Sequence, residues 1–372
     1  MNQSYTYNMD HEHIKIHGRT TSERSPLTLF WTGSGIEMNV TGSELTLEIE
    51  TDYEQYEQWI SIWINDAEVS RLMLEKGRRW ITLFRGMNAA KAKHVRVIKE
   101  VQAMSGDERS LLQFHTVKGD GQLLPVQSKP YRLEFIGDSI ASGEGAIGAR
   151  EEEDWLPMFF SASHNYTKLT ADRLNAEYRV LSQSGWGVLT SWDNNPNSAL
   201  PRYYEQVCGL LSGAKNEALG AKQQHNFSSW QPDVVIVNLG TNDNSAFYQP
   251  PWKDEQTEVE YKQRLLQDSS YHPDDMASFE AAAVQFLIKL RACNKHAHLL
   301  WAYGMLGIPM LPVIYRAVEA YKKESGDENV SVFQLPIMNE ATVGARSHPG
   351  QPAHMKAAEG LADYIATLLP TA

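Results

Sequence analysis

The sequence predicts two domains of different class, a β-sandwich of jelly-roll type over residues 1–128 and a parallel-sheet α/β domain over residues 129–372. Three observations carry this division. The chain has 372 residues, more than one ordinary domain of about 150. Its first third alternates apolar and polar residues in short runs broken by glycine turns, with no convincing amphipathic helix. Beyond Ser128, Lys129 and Pro130, apolar runs instead alternate with helix-period segments.

Taken in order, half-buried strands are expected over 27–31, 36–40, 45–49, 59–64, 80–84 and 94–98, with Gly33, Gly35 and Gly42 marking turns. In the second domain a strand is expected over 131–136, a helix over 165–176, a strand over 179–182 and a helix over 201–211. Residues 233–239 are almost all apolar, as a central parallel strand buried on both faces requires. Phe279, Ala283, Phe286, Leu287 and Leu290 share one helix face. A strand over 298–302, a helix near 312–324 and a strand over 330–335 add another unit. Met355, Ala358, Leu361, Ala362, Ile365 and Leu368 make a closing helix. The stretch 244–277 is long for a connection, and such segments are functional or disordered.

Composition excludes several classes. Apolar residues make up 42% and charged residues 22%, so a sizeable core is available. Mean hydropathy is −0.43 and no apolar run approaches the roughly 20 residues of a membrane span, so no membrane partner is expected. The net charge of −12 repels a polyanion, which argues against nucleic acid. Cys208 and Cys293 are too few for a disulfide scaffold or a structural zinc site, and His11, His13, His296 and His298 lack a third ligand. No metal or other cofactor is expected. The first residues lack a basic segment followed by an apolar one, so a cytoplasmic location is expected, or a secreted one if a leader was trimmed.

Ligands of parallel sheets bind beyond the carboxyl ends of the strands, and four polar, glycine-flanked blocks fall there. They are Gly137-Asp138-Ser139-Ile140, Ser184-Gly185-Trp186-Gly187, Gly240-Thr241-Asn242-Asp243 and Ser347-His348-Pro349. Singly each has a plain reading: Ser139 as a helix cap, Asn242 and Asp243 as a turn, His348 as a loop histidine. Together they offer a hydroxyl nucleophile, an imidazole base and oxyanion donors, the set that acyl transfer needs. Gly143, Gly145 and Gly148 match G-x-G-x-x-G, but the match begins six residues past Ile136 and the next strand ends without an acidic residue, so a dinucleotide site is rejected.

The order GDSI, SGWG, GTND, SHP resembles the SGNH (GDSL-type) hydrolase superfamily. The layout is most similar to carbohydrate esterase family 2, acetyl xylan esterase-like, with similar N-terminal stretches at Phe30 to Ile36 and His94 to Lys99. The resemblance implies a jelly roll followed by a flavodoxin-like three-layer α/β/α domain, and removal of acetyl groups from xylan or xylo-oligosaccharides without a metal. It implies Ser139 as nucleophile and His348 as base, with an oxyanion hole from the N–H groups of Ser139 and Gly185 and the Asn242 amide. Most SGNH enzymes carry an Asp three residues before the His; here that position is Ala345. A Ser-His dyad is therefore expected, with a main-chain carbonyl of Arg346 or Ser347, or a distant carboxylate, orienting the imidazole. Trp155, Trp186, Trp192, Trp252 and Tyr303 lie after strand ends or in long loops and are the candidates for stacking on a sugar, Trp186 foremost with Trp252 and Tyr303 next. An acetylated carbohydrate is the expected partner, and the sequence leaves oligomeric state open. A general acyl esterase or lysophospholipase, and a non-catalytic carbohydrate-binding protein, are the alternatives; intact Ser139, Asn242 and His348 argue against the last.

Overall fold

In the computed structural model, which describes residues 4–370, the alternation of the N-terminal third becomes two antiparallel sheets. Its strands are β1 (Tyr5–Asn8), β2 (Lys15–His17), β3 (Leu27–Thr28), β4 (Gly35–Val40), β5 (Glu44–Asp52), β6 (Gln58–Ile64), β7 (Ala67–Leu74), β8 (Gly77–Arg85), β9 (Lys93–Lys99), β10 (Leu111–Gly119) and β11 (Leu123–Leu124). One sheet runs β1-β10-β5-β8 with β3 on β10, the other β11-β4-β9-β6-β7 with β2 on β4. Along β5, Leu45, Leu47 and Ile49 are fully buried while the residues between them are not. They share one cluster with Ile36, Met38 and Val40 of β4 and with Val95 and Val97 of β9. The two sheets therefore close on one core, as a sandwich does.

From residue 130 the elements are β12 (Tyr131–Gly137), α1 (Ser139–Ser142), α2 (Tyr166–Arg173), β13 (Ala176–Ser182), α3 (Ala214–Ala218), β14 (Val234–Asn238), α4 (Thr241–Ala246), β15 (Trp252–Lys253), β16 (Glu260–Tyr261), α5 (Pro273–Cys293), β17 (His298–Tyr303), α6 (Leu311–Ser325), β18 (Val330–Gln334) and α7 (Gln351–Ala366). Five strands form one wholly parallel sheet in the order β13-β12-β14-β17-β18. Numbered within this sheet the order is 2-1-3-4-5, the flavodoxin-like arrangement, whose switch point lies between the first strand and the third. Those are β12 and β14. Leu133, Phe135, Ile236, Leu300 and Ala302 pack with residues of α2 and α7, and Val235, Val237, Leu299 and Trp301 on the other parity are buried too. The sheet is covered on both faces, which explains why β14 is apolar throughout.

Contacts group the chain into two units whose membership is not contiguous. Residues 155–163 and 206–225 join residues 1–129, whereas the sequence pattern assigns everything past 128 to the second domain. Polar anchoring explains the first excursion. Buried Glu100 accepts hydrogen bonds from the Ser61 and Ser161 hydroxyls (2.6 and 2.8 Å) and from the backbone N–H and hydroxyl of Ser163. Arg71 donates to the carbonyls of Met158 and Phe160. In the second excursion the Trp31 indole donates to the Val207 carbonyl at 2.7 Å. Such long-range pairs leave no periodic trace in a sequence.

The helix expected over 201–211 does not form. Only a single 3-10 turn, Leu200–Arg202, is present. The N–H groups of Val207 and Cys208 bond instead to the carbonyls of Gln223 and Ala221, at 2.8 and 2.7 Å. Pairing with a distant segment has replaced the helical ladder. The long connection 244–277 is ordered: Asn194 donates to the carbonyls of Ala246 and Pro250 and accepts from the N–H of Gln263. Among the described residues no helix is long and apolar enough to cross a membrane.

Candidate active site

The first block begins where β12 stops at Gly137. The Asp138 carboxyl caps the short α1 by accepting the Ile140 N–H at 3.0 Å, so Ser139 is its first helical residue rather than its cap. The chain then turns back through Gly145 in the left-handed conformation (φ 70). A Cβ there would lie 2.2 Å from the Ala345 carbonyl oxygen and 2.7 Å from the His348 Cβ. Glycine is what lets the nucleophile loop lie against the histidine loop.

The two loops bring Ser139 and His348 together. His348 Nε2 is 3.0 Å from Ser139 Oγ, and His348 Nδ1 is 2.7 Å from the carbonyl oxygen of Arg346. A carbonyl only accepts, so Nδ1 carries the proton and the Nε2 lone pair faces the serine. The acceptor is one of the two carbonyls the sequence put forward. It reaches the ring because Arg346 and Ser347 are both left-handed (φ 59 and 54), a conformation costing non-glycine residues of order 1–3 kcal/mol each. Several bonds hold it there. The Arg346 N–H donates to the Glu152 carbonyl at 2.6 Å, its guanidinium donates to the Glu153 carbonyl and the Glu144 carboxylate, and Gly344 N–H donates to the His348 carbonyl.

The third block anchors the second. The Asp243 carboxyl accepts the N–H groups of Val188, Leu189 and Thr190, at 2.9, 2.8 and 3.2 Å. Asn242 Nδ2 donates to the Trp186 carbonyl at 3.0 Å and to Asp138 Oδ2 at 3.3 Å. The Asn242 amide thus sits between the first block and the second. Gly185 is left-handed (φ 80), and a Cβ on it would meet the Trp192 ring at 2.9 Å. Burial pushes the Asp138 carboxyl up to about 7, helped by the charges of Asp243 and Glu144 and opposed by the Ile140 N–H. Asp243 is pushed up to about 6, again by burial and against its three N–H donors.

The aromatic candidates separate. Trp186 is half-buried and packs on Tyr203 with ring centroids 5.4 Å apart. Trp252 is half-buried in the β15–β16 hairpin against Tyr261. Tyr303 is not a surface for a sugar, contrary to the sequence reading: it is 1% exposed, and its ring underlies Gly240. It is the last residue of β17, a strand buried from Leu299 to its end. Trp192, another of the sequence candidates, lies beside Gly185, is 48% exposed and is the open aromatic next to the second block.

Two residues were passed over. Glu144 lies inside the rejected glycine motif, and Arg346 was noticed only for its carbonyl. Glu144 is 3% exposed; its Oε2 accepts from the Ser184 hydroxyl at 2.6 Å, and its Oε1 lies 3.2 Å from Arg346 Nε and 3.8 Å from His348 Nε2. An acid within the nucleophile loop and a base two residues before the histidine were the available signal. Among the described residues no three His, Cys, Asp or Glu side chains are grouped to hold a metal.

The chain is similar to known families and structures. Residues 135–363 match the model of the GDSL-like Lipase/Acylhydrolase family, and residues 16–126 match that of the Carbohydrate esterase 2 N-terminal domain. The structure of an acetyl xylan esterase from the rumen bacterium Butyrivibrio proteoclasticus is 43% identical, covers 98% of both chains and superposes with a TM-score of 0.96. An acetylxylan esterase / glucomannan deacetylase of Cellvibrio japonicus is 28% identical over 66% of this chain. A cellulase/esterase of Acetivibrio thermocellus is 25% identical over 90% of it. The chain spans 65% and 37% of the lengths of these two relatives.

Proposed function

The chain belongs to the GDSL-like lipase/acylhydrolase family, and from that premise we propose that it is a carbohydrate O-acetyl esterase acting on acetylated xylan or xylo-oligosaccharides through a Ser-His dyad. One observation carries the chemistry: Ser139 Oγ stands 3.0 Å from an imidazole whose other nitrogen is bound to a main-chain carbonyl. The likeness to the Butyrivibrio acetyl xylan esterase supports the substrate class.

In the proposed reaction Ser139 Oγ attacks the acetyl carbonyl while its proton passes to His348 Nε2. The Nδ1–H bond to the Arg346 carbonyl keeps the ring in the accepting tautomer. Charge developing on the carbonyl oxygen is met by the N–H groups of Ser139 and Gly185 and by Asn242 Nδ2. Both Nδ2 protons of Asn242 are already engaged in the free site, one at 3.0 Å and one at 3.3 Å. The longer bond, to Asp138, is the one exchanged for the oxyanion. Asp138, with its carboxyl pushed up to about 7, presents little negative charge beside that oxygen below neutral pH. The imidazolium gives its proton to the sugar oxygen as the ester C–O bond breaks, which releases the sugar hydroxyl, and water then attacks the acetyl-enzyme by the same route and releases acetate. Trp192 offers the open ring face for a sugar next to this site.

The test is an acyl ladder. Turnover of p-nitrophenyl esters from acetate to octanoate is measured beside acetate release from acetylated xylo-oligosaccharides. Acetate is expected to exceed octanoate by at least about 10-fold, since one methylene in a pocket is worth about 1–3 kcal/mol. Equal or faster octanoate hydrolysis replaces this reading with the general esterase or lysophospholipase one. Hydrolysis of p-nitrophenyl acetate without release from the oligosaccharides removes the substrate assignment alone.

A further inference from the structure

We propose that Glu144 is the working carboxylate of this site, a positioning residue that fixes the Arg346 carbonyl on His348 and stabilises the imidazolium from the Nε2 side. The inference rests on the reading of Ser139 and His348 as nucleophile and base. In a Ser-His-Asp triad a single aspartate orients the ring through Nδ1 and supplies the countercharge there. Here those two tasks fall on different groups. Orientation comes from the Arg346 carbonyl at 2.7 Å, which carries no net charge. A countercharge lies 3.8 Å from the other nitrogen, at Glu144 Oε1.

The surroundings of Glu144 fit this task. A carboxylate that is 3% exposed needs polar partners, and it has two: Ser184 Oγ on Oε2 and Arg346 Nε near Oε1. One of them belongs to the residue whose carbonyl orients the histidine. The Arg346 backbone is left-handed, so the ion pair also helps hold a conformation that the chain would otherwise leave. Ser184 in turn lies one residue before Gly185. Glu144 therefore ties the nucleophile loop, the oxyanion loop and the histidine loop at one point. When Ser139 gives its proton to Nε2, the ring gains a positive charge 3.8 Å from Oε1. At that distance, with Glu144 buried and His348 partly buried, the attraction is above that of an exposed pair.

Steady-state kinetics on p-nitrophenyl acetate with Glu144→Gln and Glu144→Asp tests the proposal, with Ser139→Ala measured alongside. Glutamine keeps the shape and a hydrogen bond to Ser184 but removes the charge. Its kcat is expected to fall on the order of 10–100-fold, less than the roughly 10⁴-fold of a lost triad aspartate because the carbonyl still orients the ring. KM should move less than about 3-fold, since the charge acts on the transition state rather than on binding. Glu144→Asp should recover part of the lost kcat. A Glu144→Gln enzyme with kcat within about 2-fold of wild type, or with the whole loss in KM, overturns the proposal. If the glutamine variant does not fold, Glu144→Asp carries the test by drawing the charge back one methylene, and an unchanged kcat there overturns it equally. Retained activity in Ser139→Ala overturns the dyad reading instead. An inactive Ser139→Ala beside a fully active Glu144→Gln removes only the role of Glu144.

Discussion

Glu100 in the sandwich and Asp138 in the α/β domain are both carboxyl groups with no measurable exposure, and they are held in opposite ways. Glu100 is surrounded by donors: the hydroxyls of Ser61 and Ser161 and both the hydroxyl and the N–H of Ser163. Asp138 has the Ile140 N–H and one long bond from Asn242, with Asp243 and Glu144 near enough to oppose its charge. Equal burial thus serves two ends. A carboxyl group saturated with donors pins chain segments together, whereas burial holds the under-supplied Asp138 short of ionisation below about pH 7. The contrast divides the molecule into a part built to hold and a part built to react.

The sharpest way to break the contrast is at the proposed reacting pair. Ser139→Ala and His348→Ala should each lower acetyl ester turnover on the order of 10⁴-fold or more, and the double variant should lose little beyond either single one, because the two act as a unit. Asn242→Ala should cost less, about 10²–10³-fold in kcat. Additive losses in the double variant would mean that the serine and the histidine work separately. Thermal melts in parallel should show little change for Ser139→Ala.

At the holding end the expectation reverses. Glu100→Ala strands three serine hydroxyls and should destabilise the fold by about 3–5 kcal/mol in urea titration. The kcat of the protein that remains folded should stay within about 2-fold. A large loss of kcat with unchanged stability would erase the division between the two regions.

The last effect concerns pH and leaves activity aside. An unfolded chain releases the Asp138 proton near 3.8, while the folded protein keeps it to about 7. Across that interval the folded state binds more protons, so stability falls as pH rises, and Asp243 adds the same sign up to about 6. Asp138→Asn should flatten the decline between pH 4 and 7, read as unfolding free energy from urea titrations at each pH. An unchanged slope would place the ionisable burden elsewhere.

How much of this was legible in the chain depends on the range of the interaction involved. The sandwich alternation of β5 and the unbroken apolar run of β14 are local patterns, and each reads directly as a strand with one or two buried faces. Three of the blocks were legible because each follows a strand end in sequence, and parallel strands all end on one side of a sheet; the fourth, at His348, stands just before the closing helix. With alanine at 345 in place of an acid, the carbonyls beside His348 are the nearest acceptors in the sequence, and one of them is the partner of Nδ1. Tyr303 and the 201–211 segment misled because their local pattern fits an open aromatic and a helix. Whether Tyr303 is covered depends on Gly240 above it, and whether 201–211 coils depends on Gln223 and Ala221 offering other partners. Glu144 and Arg346 lie 202 residues apart and become one ion pair only when two loops meet.

The sequence by itself determined the class of each half, the order of the blocks and the chemical types brought to the site, since periodicity and strand-end placement act over a few residues. Tertiary structure alone decided which carboxylate faces the histidine, which aromatic stays open and which later segments return to the sandwich. Those outcomes turn on single hydrogen bonds and close approaches between distant residues, and such contacts have no period in the chain.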